Sequence, residues 1–63
     1  MTLIDVDSST IAAIGYEAGD LYNLFHTGST IYRYPGVPYS VFEGFLDASS
    51  KGDYYHRYIE GRY

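Results

Sequence analysis

Three runs of β-branched and aromatic residues occupy the first half of the chain: Thr10-Ile-Ala-Ala-Ile-Gly-Tyr16, Leu21-Tyr-Asn-Leu-Phe-His26 and Thr30-Ile-Tyr-Arg-Tyr34. Such residues suit a pleated, half-buried surface. Glu17-Ala-Gly-Asp20 and Thr27-Gly-Ser29 punctuate them as turns, and Pro35 with Gly36 ends the third run because proline has no ladder donor. Beyond Pro38, which a first helical turn tolerates, Val41, Phe42, Phe45, Leu46 and Ala48 recur at helical spacing. Gly44 weakens that helix without forbidding it. Ser49-Ser-Lys-Gly-Asp53 breaks the period, and Ser50 with Asp53 three residues on forms a cap for a second helix carrying Tyr55, Tyr58, Ile59 and Arg62. The pattern predicts an α+β fold, a three-stranded antiparallel meander followed by two short helices packed on one face (β-β-β-α-α). Residues 1–9 end in the turn formers Asp-Val-Asp-Ser-Ser and are expected to be a frayed lead-in to a single domain over residues 10–63.

Turn length fixes which side each strand residue faces. With Ala18-Gly19 as a two-residue turn, Glu17 opposes Asp20, Tyr16 pairs with Leu21, Ile14 with Asn23 and Ala12 with Phe25. A second two-residue turn at Thr27-Gly28 or Gly28-Ser29 leaves Tyr32 and Tyr34 on that same side, whereas a three-residue loop would turn them outward. The face expected under the helices therefore holds Ala12, Ile14, Tyr16, Leu21, Asn23, Phe25, Tyr32 and Tyr34. The opposite, water-facing side holds Ile11, Ala13, Gly15, Tyr22, Leu24, His26, Ile31 and Arg33, a mixed surface with few charges.

A chain of 63 residues forms one small domain that buries about 60% of the surface its unfolded state exposes. Nine tyrosines and three phenylalanines supply the packing area that so short a chain lacks in aliphatic residues. Cysteine is absent, which removes disulfides and thiolate metal sites and points to a reducing compartment. The opening Met1-Thr-Leu-Ile-Asp-Val-Asp7 has acids where a secretory leader needs lysine followed by an apolar run, and no stretch approaches the ~20 apolar residues of a membrane helix. A cytoplasmic protein is the expectation, with no membrane partner. Eight acids against four bases give a formal net charge of −4, which opposes nonspecific attraction to nucleic acid.

The order from Val6 onward resembles the KTSC domain. The resemblance rests on Asp7-Ser-Ser9 with Ile14-Gly-Tyr16, on Leu21 through Phe25 and Gly28, and on Tyr32-Arg-Tyr34 with Gly36-Val-Pro38. Ala48-Ser-Ser-Lys-Gly52 with Tyr54-Tyr55 and Ile59 completes it. Asn23 departs from the pattern by placing an amide where an aliphatic residue is usual, and a hydroxyl from Tyr32 or Tyr34 is the partner it is expected to find. The domain occurs at the C-terminus of some lysyl-tRNA synthetases and alone in bacteria and their phages. The synthetase association implies an RNA-binding role by analogy.

Two binding functions follow. Tyr22, His26, Ile31 and Arg33 on the open sheet face are the candidate partner-binding residues, since tyrosine and arginine anchor protein interfaces well. A protein partner or a second copy fits an acidic, tyrosine-rich domain, as would an inhibitor or adaptor of bacterial or phage origin. The alternative is RNA, with bases stacked on the same face and phosphate contacts from Lys51 and Arg57. Catalysis is not expected: Ser49, Ser50, His56 and Asp53 lie close in sequence, but no nucleophile elbow or glycine-rich anion loop frames them. His26 and His56 fit no metal spacing, so no metal or cofactor is expected. Nor is a small-molecule substrate, because the chain looks too short to enclose a site of about 300–1,000 Å3.

Overall fold

A computed structural model describes residues 2–63, and the elements run β1 (Ile4–Asp5), β2 (Ile11–Glu17), β3 (Asp20–Phe25), β4 (Ile31–Tyr34), α1 (Tyr39–Asp47) and α2 (Lys51–Tyr58). The four strands form one antiparallel sheet in chain order. The expected three-stranded meander is thus β2 to β4, and the lead-in adds a fourth strand. Ile4 pairs with Ile14 and Asp5 with Ala13, so residues 4–5 are an edge strand rather than a frayed end. Two residues are too few to show alternation in the sequence, and pairing with β2 is what holds them.

The first hairpin turns on Ala18 and Gly19, both with positive φ (53° and 83°), the signature of a primed two-residue turn. Glu17 opposes Asp20, Tyr16 opposes Leu21 and Ile14 opposes Asn23, as the turn length predicts. The register then shifts between Ile11 and Ala13, and Phe25 faces Ile11 in place of Ala12. The bulge turns Ile11 inward, where it is fully buried, so Ile11 belongs to the core and not to the open face. Ser8 fixes the approach to the bulge, its Oγ accepting from the N–H groups of Thr10 and Ile11 at 3.1 Å each.

Leu24 pairs with Ile31, Asn23 with Tyr32, Tyr22 with Arg33 and Leu21 with Tyr34, the register a Thr27-Gly28 turn would give. The loop nonetheless opens after Phe25, and β4 begins only at Ile31. Both helices lie over the face of Ile14, Leu21 and Asn23. The core joins Ile11, Ile14 and Leu21 to Val37, Phe42, Phe45, Tyr55 and Ile59. Helix α1 follows Pro38 without a side-chain cap, whereas Ser50 caps α2, its Oγ accepting from the Asp53 N–H at 3.3 Å. Tyrosine hydroxyls lock these layers at their rims: Tyr16 donates to the Val37 carbonyl at 2.6 Å and Tyr54 to the Val41 carbonyl at 2.8 Å. Among the described residues no helix is long and apolar enough to cross a membrane.

Candidate functional site

The sheet face turned away from the helices is built by alternation. Asp5 stands beside Ala13, Ala13 beside Leu24, and Leu24 beside Ile31; one step along, Gly15 stands beside Tyr22 and Tyr22 beside Arg33. Glu17 and Asp20 close the hairpin end. Neither helix covers this face. Ile31 is 47% exposed, Tyr22 and Leu24 are half-buried, and Arg33 is exposed. Ala13 and Gly15 are buried because they are small residues on the inner strand β2, so the surface dips between β1 and β3. The result is a shallow, partly apolar patch of Tyr22, Leu24 and Ile31.

Its charge is set by residues that sequence reasoning did not single out. Asp20, itself partly buried, lies 3.8 Å from the exposed Arg33 guanidinium, a pair worth little in stability but enough to offset that cation. Asp5 and Glu17 share this side. The period-two pattern that placed Tyr22 and Arg33 also places Glu17 and Asp20 here. Asp5 was hidden because its strand was.

Three of the four proposed partner-binding residues, Tyr22, Ile31 and Arg33, come together on this face. His26 does not. It lies in the turn after β3, where its backbone N–H donates to the Thr10 carbonyl at 3.1 Å and its Nε2 lies 2.7 Å from the Ser8 carbonyl oxygen. These contacts tie the turn to the segment before β2, because the ladder beyond Phe25 has opened. Lys51 and Arg57 are on α2, on the other side of the sheet from Tyr22 and Arg33. The Lys51 ammonium donates to the Ala48 carbonyl at 2.6 Å, and Arg57 is exposed.

Tyr32 and Tyr34 both point to the helix side, yet their surroundings differ. Tyr34 is half-buried, and its hydroxyl meets that of Tyr55 at 2.8 Å. Tyr32 is 48% exposed and packs edge-on against Phe25 at 5.7 Å, since β4 is an edge strand and Tyr32 lies toward its open-loop end. Asn23 is fully buried, and neither its amide nitrogen nor its oxygen has a partner among the described residues. Neither Tyr32 nor Tyr34 supplies the expected hydroxyl; that of Tyr34 meets Tyr55 instead.

Short as it is, the chain does form a cleft of ligand size. A polar cleft of about 430 Å3 opens between residues 7–10 and the start of α2, lined among others by Asp7, Ser9, Ser49, Asp53 and His56, and lies within the usual size range of ligand sites. Of the groups that line it, Ser50 caps α2, and His56 Nδ1 sits 2.8 Å from a Glu60 carboxylate oxygen. Among the described residues no cluster of histidine and acidic side chains is arranged to hold a metal.

Comparison with known proteins places this geometry. No curated protein matches the chain. A crystal structure of a KTSC domain protein from Yersinia pestis superposes with a TM-score of 0.89 at 33% identity, covering 97% of this chain and 87% of the other. The KTSC domain profile matches residues 7–63. With this match reaching from the Asp7-Ser-Ser turn to the last residue, the chain belongs to the KTSC domain family.

Proposed function

We propose that this KTSC domain is a non-enzymatic docking module that binds a protein through its open sheet face. One observation carries the reading: Tyr22, Leu24 and Ile31 form a partly exposed apolar patch that the chain's own helices leave uncovered, ringed by Asp5, Glu17 and Asp20. Interface cores combine an aromatic anchor with such aliphatic neighbours, and rim charges select the partner. Asp5 stands on that rim and the chain carries a net charge of −4, which favours a partner surface with lysine or arginine.

RNA suits this face less well. Its single arginine is offset by Asp20, and Lys51 and Arg57 point away from it on α2, so phosphate contacts and a stacking surface do not combine. Affinity capture from native cell extract, with both protein and RNA identified, separates the readings. The expected result is a protein whose capture falls by about 30-fold in Tyr22→Ala, the loss typical of an interface anchor. Equal capture by the folded variant, or recovery of RNA alone, would contradict the proposal.

A further inference from the structure

The two edges of the sheet are unlike. Edge strand β1 is two residues long and carries Asp5, a short charged edge of the kind that resists pairing. Edge strand β4 is four residues long, and Ile31, Tyr32 and Arg33 are exposed along it. Hydrogen-bonding direction along β4 follows from the first hairpin. Its two-residue turn makes Glu17 and Asp20 a hydrogen-bonded pair, and bonded pairs alternate, so the backbone of Tyr22 faces β2 while those of Leu21 and Asn23 face β4. Tyr32 and Tyr34 are therefore the β4 residues bonded to β3. The N–H and C=O groups of Ile31 and Arg33 point outward.

Side chains flank this free edge on both faces. Ile31 stands on the open side and Tyr32 on the helix side, each about half exposed. On the open side Asp20 offsets Arg33, which leaves no net positive charge from that pair, and the chain as a whole is acidic. A second copy carries the same net charge of −4 and is repelled, whereas a basic segment is attracted.

We infer that β4 accepts an extended, lysine- or arginine-bearing segment of the protein partner as a fifth strand, hydrogen-bonded to Ile31 and Arg33. The inference rests on the open-face reading and gives its partner a conformation and a charge. Main-chain bonds would supply affinity, with Ile31 and Tyr32 receiving alternate side chains of the added strand.

The test uses the whole chain with an alternating lysine–valine peptide, its glutamate–valine counterpart and single-stranded polyuridine as probes. Amide exchange and chemical shifts of Ile31 and Arg33 are followed by NMR. Expected are protection of those two amides by the lysine peptide, weaker or no effect from the glutamate peptide and RNA, and about tenfold weaker binding to Ile31→Pro, which lacks one outward N–H. Ile31→Val, which keeps that N–H, should bind like the parent. Lack of binding by the lysine peptide at millimolar concentration, or binding without protection at these amides, overturns the inference. So does protection of the same amides in peptide-free protein of doubled mass, which would assign the edge to a second copy. Binding sensitive to Tyr22→Ala but indifferent to Ile31→Pro would leave the face as the site and remove the edge.

Discussion

The hydroxyls of Tyr34 and Tyr55 meet at 2.8 Å, joining the edge strand β4 to the second helix. Their rings also meet edge-on at 6.1 Å. Tyr34 therefore serves the fold on one side of β4 while its neighbour Arg33 faces the candidate site on the other.

Burial, reinforced by the bond to Tyr55, pushes the Tyr34 hydroxyl well above its ordinary value of 10.0, and burial also raises Tyr54. Both are protonated in the fold at a pH where the unfolded chain would ionise them. Their contribution is thus complete below about pH 10 and is lost as pH rises above it. The urea midpoint should be flat up to about pH 9 and fall beyond about pH 10. Tyr34→Phe should lose about 0.5–1.5 kcal/mol at neutral pH and show a shallower alkaline fall; an unchanged alkaline slope would count against this role.

Asn23 is a fully buried amide without a partner among the described residues. Replacing it with an aliphatic residue removes the desolvation cost of that amide and fills the same inward position between Ile14 and Tyr32. Asn23→Val should raise stability by about 1–3 kcal/mol in urea titration. Destabilisation by that substitution would show that the amide is satisfied in solution.

Ala18 holds φ at 53° in the first hairpin turn, a conformation that costs a residue with a Cβ about 1–2 kcal/mol. Ala18→Gly relieves it, and Ala18→Asn supplies the residue this turn type prefers at the first central position. Either should raise the thermal midpoint. A lower midpoint for both would contradict the turn geometry.

At Gly44 the opposite holds. A Cβ there would overlap the Tyr54 hydroxyl and lie 3.0 Å from its Cζ, and that hydroxyl donates to the Val41 carbonyl. Gly44→Ala gains up to about 1 kcal/mol in helix propensity but forces Tyr54 off its bond and out of its stack on Phe45. Net destabilisation of about 1–3 kcal/mol is expected from denaturant titration; a more stable variant would show that the helices have slack.

Much of this was legible in the sequence because period and punctuation agreed. The Ala18-Gly19 turn set the register of Tyr16, Ile14 and Tyr22, and Ser50 with Asp53 marked the start of α2. Features that depend on a third segment were not legible. Strand β1 is held only by its pairing with β2, and the bulge that turns Ile11 inward breaks the alternation it would have been read from. The site shows the same division: Tyr22, Ile31 and Arg33 followed from alternation, while His26 was lost to the loop opening after Phe25. Asp20 and Glu17 matter because they surround the patch, which is a property of the folded face. The cleft beside α2 brings residues 7–10 to residues 49–56, and no local pattern announces that meeting.

The central claim, that a protein docks on the open sheet face and not on the helix side, is tested most directly by site-specific photo-crosslinking in native cell extract. A photoreactive residue at Ile31 reports the open face, and one at Tyr58, about equally exposed on α2, reports the helix side. The account predicts a discrete protein adduct from position 31 that is lost in the Tyr22→Ala background, with none from position 58. Adducts from position 58 alone, or crosslinks to RNA from position 31, would contradict it.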